Sequence, residues 1–333
     1  MPLNPEAQRI IDGFPQLDRI ETPPNAAAMR EEFHRTWRMP ADLPPVGAVA
    51  DTALPGPAGD VPVRVYVPEG TGPFPVLAWF HGGGWTIGSL DENEVACRTV
   101  CASARCLVVS VDYRLAPEHP YPAAADDAYA VTAWIAEHAA ELPGGGDPSR
   151  IAVGGESAGG NLAAVVALRA RDQGGPRAAL QVLVSPVVGH WADGRASYDE
   201  FAEGYFLSKA SMEWFFTQYP RDADDLNDPY LLPLRAGDLS NLPPALVLGA
   251  ECDVLRDEGE EYARRLQAAG TPTELVRYDG VIHGFFGLLA TELSVAREAH
   301  ARVADALTKA FASAPGTGAG SAPAPAAGAD GGA

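Results

Sequence analysis

Basic residues are scarce in this sequence. Its 333 residues hold 24 lysines and arginines against 44 aspartates and glutamates, which gives a formal net charge of −20 at pH 7. A charge of this sign repels phosphate backbones and anionic lipid headgroups. The composition therefore argues against nucleic acid and membrane surfaces as partners.

Long apolar runs are also missing. The first residues, MPLNPEAQRIIDGFPQLDRIE, lack a basic segment followed by an apolar one. No stretch of about 18 consecutive apolar residues, the length of a membrane-spanning helix, occurs anywhere. We expect a cytoplasmic protein without stable membrane association.

Cysteines are few, and they are Cys97, Cys101, Cys106 and Cys252. Four cysteines in a chain of this size do not form a disulfide framework, and the first two have the spacing of neighbours on one helix face. We interpret all four as small buried apolar side chains rather than as metal ligands or redox groups.

Short apolar runs alternate with segments of helical period. The runs are FPVLAWF (74–80), CLVVSVDY (106–113), RIAVGG (150–155), LQVLVSP (180–186), PALVLGA (244–250) and TELVRYD (273–279). Helix-period segments at 123–139, 161–173 and 256–270 lie between them. Nearly continuous apolar strands separated by helices are typical of a parallel sheet covered on both faces, so the sequence predicts an α/β fold.

Three regions depart from this alternation. Residues 1–45 have helical spacing interrupted by proline pairs, and residues 190–228 form an aromatic-rich insert after a strand. Long insertions at the carboxyl end of a sheet strand commonly form binding caps, so we expect both regions to cover the site. The main domain is then 46–189 with 229–312. The tail, 313–333, lacks periodicity and bulky apolar residues, and we expect it to be disordered.

The segment GGESAGGN at 154–161 places Ser157 between an apolar strand and a helix-period segment. A serine on such a tight bend needs small neighbours, and the bend exposes its hydroxyl near the positive end of the next helix. A phosphate-binding loop is disfavoured because the segment lacks the lysine of a Walker motif. We interpret Ser157 as a nucleophile, whereas Glu156 has no role that the sequence assigns.

A serine nucleophile needs a histidine base that is oriented by a carboxylate. In the chain order serine, acid, histidine, the candidate bases after Ser157 are His190, His283 and His300. His300 lies in a terminal amphipathic segment, and His190 opens the insert and stays a minor alternative. We choose His283, because it follows the last predicted strand.

The acid is expected on a loop after an earlier strand. Asp253 lies at a strand-to-loop transition in PALVLGAECDVLRDEG, and Glu251 is the alternative. Asp257 and Glu258 begin the next helix, where acidic residues stabilise the N-terminus without a catalytic role. We therefore choose Asp253.

A negatively charged intermediate also needs hydrogen-bond donors. The segment FHGGGWTIG (80–88) follows an apolar strand, and its three successive glycines leave bare backbone N–H groups that can point at one oxygen. We expect Gly83, Gly84 and Ala158 to be these donors, with Gly82 as a further candidate. His81 is interpreted as structural.

Five motifs in this order resemble the bacterial hormone-sensitive-lipase-like esterases, the family IV carboxylesterases. They are HGGGW (81–85), DYRLAPEHPYPAAADDAY (112–129), GESAGG (155–160), DVLRDEG (253–259) and IHGF (282–285). The resemblance extends over residues 45–312. It implies an α/β-hydrolase fold, with a mostly parallel central sheet of about eight strands, flanking helices and a helical cap.

The same resemblance implies a catalytic triad of Ser157, Asp253 and His283, and an oxyanion hole formed by the glycine motif and Ala158. The chain departs from the family's common pattern at Glu156, where aspartate is frequent, and at CDVL (252–255), where DPL after an aromatic residue is frequent. These departures bear on substrate preference, because neither removes a catalytic group.

These residues predict a serine carboxylesterase that hydrolyses short- to medium-chain acyl esters through an acyl-enzyme, with no metal and no organic cofactor. A homodimer is compatible with the sequence. The alternatives are an arylformamidase or amidase with the same triad, and a non-catalytic small-molecule receptor. Plant gibberellin receptors resemble the family but lack the histidine, so His283 disfavours a receptor.

The pocket for the acyl or alcohol group is expected to contain aromatic residues that adjoin the motifs or belong to the insert. These candidates are Trp85, Tyr205, Phe206, Phe285 and Phe286.

Overall fold

A computed structural model describes residues 2–13 and 25–314 of the chain. The tail predicted for residues 313–333 lies outside these described residues from position 315 onward.

One sheet of eight strands forms the centre of the molecule. The strands are β1 (Ala48–Gly56), β2 (Gly59–Val67), β3 (Phe74–Phe80), β4 (Leu107–Val111), β5 (Gly146–Glu156), β6 (Gln181–Val184), β7 (Ala245–Cys252) and β8 (Thr273–Ile282). Their order is β1-β2-β4-β3-β5-β6-β7-β8, in which β2 pairs antiparallel with β1 and with β4. All other neighbours pair in parallel. The predicted mostly parallel sheet is confirmed.

Helices in the described residues connect or flank these strands. They are α1 (Pro5–Gly13), α2 (Ala26–Thr36), α3 (Glu94–Ala104), α4 (Ala123–His138), α5 (Ala158–Gln173), α6 (Ser197–Glu200), α7 (Lys209–Gln218), α8 (Arg256–Ala268) and α9 (Val295–Ser313). Helix α3 packs with α9, and α4 packs with α5.

The apolar runs explain the layers. Every residue of β3 and β4 is buried. Because successive side chains of a strand point to opposite faces, both faces of the sheet are covered at these strands. By contrast, most residues of the edge strand β1 are exposed.

Parallel pairing brings the candidate residues to one edge of the sheet. The carboxyl ends of β3, β5, β7 and β8 lie on the same edge, and they lead directly into positions 81, 157, 253 and 283. The sheet topology thus assembles residues that are far apart in sequence.

The two N-terminal helices occupy different places. Helix α1 lies beside the end of β8, where the Asn4 N–H donates to the Gly280 carbonyl at 2.9 Å and the Ser294 N–H donates to the Glu6 carboxylate at 2.7 Å. Helix α2 instead supplies Met29 and Phe33 to the cavity described below. The division into a cap and a main domain stays a prediction.

All four cysteines are buried as free thiols. Burial raises the pKa of Cys101 to about 12 and that of Cys252 to about 11. Within the described residues, no helix combines the length and the apolar character needed to cross a bilayer.

Candidate active site

Ser157 occupies the turn between β5 and α5. Its backbone has φ 60° and ψ −120°, a conformation that non-glycine residues rarely adopt and that costs free energy. The Ser157 N–H donates to the Val184 carbonyl at 2.8 Å, which ties the turn to the neighbouring strand β6.

The glycines beside the serine are required by close backbone packing. A Cβ atom at Gly155 would collide with the backbone of Gly159, and one at Gly159 would collide with the Phe80 carbonyl. The expectation that the bend needs small neighbours is confirmed at both glycines.

His283 and Asp253 form a buried hydrogen-bonded pair. His283 Nδ1 lies 2.7 Å from Asp253 Oδ2, and Asp253 Oδ1 accepts a hydrogen bond from the Leu255 N–H at 3.0 Å. Burial by itself would lower the pKa of His283, but the charge and hydrogen bond of Asp253, together with the charge of Glu156, raise it above its ordinary value. The carboxylate fixes the proton on Nδ1, which leaves the lone pair on Nε2.

Glu156 anchors the segment that carries the histidine. Its Oε1 accepts from the Phe286 N–H at 3.2 Å and its Oε2 from the Gly287 N–H at 3.1 Å. We call residues 283–289 the histidine loop. Burial raises the pKa of Glu156 to about 6, against the opposing effects of His283 and of the two N–H groups. The residue that the sequence left unassigned therefore joins the end of β5 to the histidine loop.

His300 holds the histidine loop from another element, α9. Its Nε2 lies 2.8 Å from the Phe286 carbonyl oxygen, which can only accept, so His300 Nε2 is the donor. Burial lowers the pKa of His300 to about 4, so the ring is neutral near pH 7. This contact gives His300 a structural role in holding the histidine loop.

Residues 81–88, here called the glycine loop, follow β3. Gly83 and Gly84 have φ of 113° and 57°, and the Gly83 carbonyl accepts from the N–H groups of Thr86 and Ile87 at 3.0 and 2.9 Å. In the described part of the chain, the N–H groups of residues 82–84 donate to no protein acceptor. Ala158 begins α5, where the first N–H groups of a helix lack intrahelical acceptors. These free donors lie on the two segments next to Ser157.

His81 shapes the glycine loop. Its Nδ1 donates to the Gly82 carbonyl at 2.7 Å, its ring stacks on Tyr113 at 4.3 Å, and the Tyr113 hydroxyl donates to the His81 carbonyl at 2.8 Å. The ring is fully buried. These contacts support the structural interpretation of His81.

A cavity of about 190 Å³ lies over Ser157 and His283. One side, the sheet wall, consists of residues 82–84, Glu156, Ser157 and His283. A second group of lining residues, the helix wall, comes from α2 and α7 and consists of Met29, Phe33, Met212 and Phe215. The remaining lining residues are His81, Ile87, Gly88, Glu92, Asn93, Phe206, Leu207, Ser211, Gly284 and Leu288.

The five aromatic residues predicted for the pocket fall in different places. Phe206 lines the cavity. Trp85 instead stacks on Tyr219 at 4.4 Å, with its Nε1 donating to Asn161 Oδ1 at 3.2 Å.

The other three aromatic candidates pack on core or insert residues. Phe285 contacts Tyr278 with ring centroids 5.4 Å apart, Phe286 stacks on Trp79 at 5.3 Å, and Tyr205 meets Phe201 edge-on at 4.9 Å. None of these three belongs to the cavity lining found among the described residues.

The sequence analysis expected residues 1–45 and 190–228 to cover the site, but it did not single out the four residues of the helix wall. Met29 and Phe33 are four residues apart and Met212 and Phe215 three apart, so each pair lies on one face of its helix. That spacing was the available signal. Phe215 also packs directly over Gly84, where a Cβ atom would collide with its ring.

The alternative catalytic residues have other partners. Glu251 Oε2 accepts from the Gly280 N–H at 2.7 Å, and the His190 ring packs edge-on against Phe216 at 4.7 Å. Glu258 does more than stabilise a helix N-terminus. Its carboxylate accepts from the N–H groups of Val188 and Gly189 at 2.8 and 3.2 Å, and burial raises its pKa to about 8.

Among the residues that the structure describes, no group of three or more histidine, cysteine, aspartate or glutamate side chains is arranged to hold a metal ion.

Comparisons with known proteins agree on the class of fold and chemistry. A family model described as "alpha/beta hydrolase fold" matches residues 77–287. The chain is 51% identical over 245 residues to carboxylic ester hydrolase LipN of Mycobacterium tuberculosis, a match that covers 72% of this chain and 65% of LipN, slightly under two thirds of its length. It is 41% identical over 317 residues to carboxylesterase NlhH of the same species, covering 93% of this chain and 96% of NlhH.

Solved structures resemble most of the chain. An esterase of Pyrobaculum calidifontis has a TM-score of 0.85 and 39% sequence identity, and the match covers 92% of this chain and 99% of that one. The ester hydrolase EH1AB1 from the metagenome of Lake Arreo, solved with a derivative of bipyridine phosphonate, has a TM-score of 0.86 and 42% identity. That match covers 93% of this chain and 99% of the other.

Proposed function

The chain belongs to the α/β-hydrolase family, and we propose that it is a serine carboxylesterase acting on short- to medium-chain acyl esters through Ser157, His283 and Asp253. The observation that carries the proposal is the buried His283–Asp253 hydrogen bond of 2.7 Å beside a cavity that also contains the strained Ser157. Relatives named carboxylic ester hydrolase and carboxylesterase support it.

Acylation begins with proton transfer. His283 Nε2 takes the proton of the Ser157 hydroxyl while Oγ attacks the carbonyl carbon of the ester. The resulting imidazolium is stabilised by Asp253, which accepts from Nδ1 at 2.7 Å. The raised pKa of His283 favours this protonated intermediate.

The tetrahedral oxyanion is stabilised by backbone donors. We assign the N–H groups of Gly83, Gly84 and Ala158, with Gly82 as a further donor, because residues 82–84 have no protein acceptor in the described chain and Ala158 begins a helix. Each such donor contributes about 3 kcal/mol of transition-state stabilisation. The positive end of α5 adds to this field.

The intermediate then collapses and the cycle repeats with water. His283 donates its proton to the leaving alcohol, which gives an acyl-Ser157 ester and a neutral imidazole. Water attacks the acyl-enzyme with His283 again as the base, and the carboxylic acid leaves as Ser157 recovers its proton.

The cavity supports an acyl group of limited length. Its volume of about 190 Å³ and its helix wall of Met29, Phe33, Met212 and Phe215 suit an apolar chain rather than a polar one. The proposal also includes a cytoplasmic location and compatibility with a homodimer. It includes the lack of nucleic-acid and membrane partners, which is inferred from the net charge of −20.

Initial rates on nitrophenyl acetate, butyrate, octanoate and palmitate test the function. We expect the shorter esters to be hydrolysed fastest, and a fluorescent phosphonate to label the wild type but not Ser157→Ala. Activity on an N-formyl or amide substrate above that on esters would point instead to an arylformamidase or amidase. A wild type that the phosphonate does not label would point to a receptor.

A further inference from the structure

Arg30 connects helix α2 to the main domain through all three nitrogens of its guanidinium. Nε donates to the Thr86 carbonyl at 2.7 Å and Nη2 to the Ala116 carbonyl at 2.6 Å. Nη1 and Nη2 also donate to the Glu118 carboxylate at 3.0 and 2.7 Å. A planar fork with fixed donor directions can make these bonds together, which a lysine ammonium cannot.

Thr86 belongs to the glycine loop and is bonded to both glycines at its centre. Its N–H donates to the Gly83 carbonyl at 3.0 Å, and its hydroxyl donates to the Gly84 carbonyl at 3.0 Å. Thr86 therefore links Arg30 to the two glycines. It accepts a hydrogen bond from Arg30 and donates one to each glycine carbonyl.

The contact of Arg30 with Ala116 joins α2 to a second segment that is bonded to the glycine loop. The Ala116 N–H donates to the Trp85 carbonyl at 2.9 Å, so that Ala116 and the glycine loop are already joined. Arg30 bridges the carbonyls of Thr86 and Ala116 from the side of α2. The Glu118 side chain, which is 51% exposed, offsets the charge of Arg30.

Helix α2 is also the helix that supplies Met29 and Phe33 to the cavity. The side chain of Arg30 is 23% exposed, so its bonds to the two carbonyls are largely shielded from water. One short helix therefore contacts both the space for the substrate and the loop that supplies the oxyanion donors.

We propose that Arg30 is a positioning residue for the oxyanion hole. By holding the Thr86 carbonyl, it keeps the N–H groups of Gly83 and Gly84 directed at the developing oxyanion, and it makes turnover depend on the docking of α2. This inference rests on the proposed esterase function.

The test compares Arg30→Met and Arg30→Lys with the wild type on nitrophenyl butyrate and octanoate. We expect kcat to fall by about tenfold in both variants, because a displaced donor loses much of its effect, while KM changes by less than about twofold. Arg30→Lys retains a positive charge near Glu118, but its single nitrogen has three N–H donors and cannot make all four bonds of the guanidinium, so the variant separates charge from geometry.

One control variant changes another arginine of α2, and a second changes the ion-pair partner of Arg30. Arg35→Met makes the same change on an exposed arginine of α2 that pairs with Glu32, and it should leave kcat unchanged. Glu118→Gln removes the ion pair but not the bonds to Thr86 and Ala116, so we expect a loss of less than about threefold.

A second readout distinguishes positioning from support of the fold. The affinity for a trifluoromethyl ketone, whose adduct carries an oxyanion, should fall in proportion to kcat/KM in both Arg30 variants. Thermal melting followed by circular dichroism shows whether each variant folds. If Arg30→Met does not fold, the comparison is made with Arg30→Lys alone.

Three results would overturn the inference. They are an unchanged kcat in Arg30→Met with a shifted acyl-length preference, full recovery of kcat in Arg30→Lys, and a ketone affinity that does not follow kcat/KM. If the wild type itself hydrolyses no ester, the proposed function fails, whereas an active wild type matched by Arg30→Met rejects only the role of Arg30.

Discussion

The two walls of the cavity are held in place in different ways. In the sheet wall, Ser157 and His283 follow the ends of parallel strands, and buried hydrogen bonds to the carboxylates of Asp253 and Glu156 fix the histidine loop. The helix wall contacts the cavity through apolar side chains of α2 and α7, and within the described residues Arg30 is its polar link to the glycine loop.

This difference separates chemistry from selectivity. Hydrogen-bonded groups on strand ends are held at fixed distances, as proton transfer requires, whereas apolar helix faces adjust to substrates of different length. Substitutions in the sheet wall should therefore change the rate, and substitutions in the helix wall should change the choice of substrate.

The largest expected effect is the loss of the base. His283→Ala should lower kcat by on the order of a millionfold, because without it Ser157 cannot give up its proton as it attacks. Stopped assays on nitrophenyl butyrate measure this, and His190→Ala, which changes a histidine outside the cavity lining, is the matched control. A loss of less than about a hundredfold in His283→Ala would show that another base acts.

A smaller effect is expected from Glu156→Gln. The amide nitrogen cannot accept from the Gly287 N–H, so the histidine loop shifts and kcat should fall by about tenfold. Removing the negative charge also lowers the pKa of His283, so the acidic limb of the kcat/KM profile should move to lower pH. An unmoved limb would mean that Glu156 acts only through the loop, and Glu258→Gln is the control for the same change at another buried glutamate.

In the helix wall, Phe215→Ala should alter selectivity more than rate. Loss of the ring that packs over Gly84 enlarges the cavity, so kcat/KM for octanoate should rise relative to acetate by about three- to tenfold. Phe216→Ala changes the adjacent residue of α7, which packs on Trp85 and not on the cavity, and should keep the wild-type profile. Equal effects of both variants would contradict the division between the walls.

The smallest effect concerns stability. Burial raises the pKa of Glu258 from its ordinary 4.5 to about 8, so the folded protein binds this proton more tightly than the unfolded chain. The corresponding stability is fully present below about pH 4.5 and is lost as the pH rises through about 8. Glu258→Gln should flatten this decline in Tm by a few degrees, and a decline that persists unchanged would assign it to other groups.

The sheet and the family could be predicted from the sequence for definite physical reasons. Strands buried on both faces appear as apolar runs in the sequence. The motifs follow the carboxyl ends of those runs, and these ends lie at one edge of a parallel sheet, so the motifs come together. The predicted resemblance to the hormone-sensitive-lipase-like esterases is confirmed by the family match over residues 77–287 and by the carboxylesterase relatives.

The pocket could not be predicted in the same way. Trp85 adjoins the glycines, yet its ring turns into the core because Tyr219 and Asn161 offer it a stacking surface and an acceptor. The partners of Glu156 lie 130 and 131 residues further along the chain, so no local pattern indicates them. Side-chain direction depends on tertiary packing, which adjacency in sequence does not determine.

Because all four thiols are buried, their rates of chemical labelling report how often the protein opens locally. Because a maleimide reacts only with an exposed thiolate, label incorporated over hours under native conditions counts the molecules that have transiently opened around a chosen cysteine. Cys252 ends the strand that leads into Asp253, whereas Cys97 and Cys101 lie in α3. Comparing their labelling rates would tell whether the catalytic edge opens on its own or only when the whole domain does.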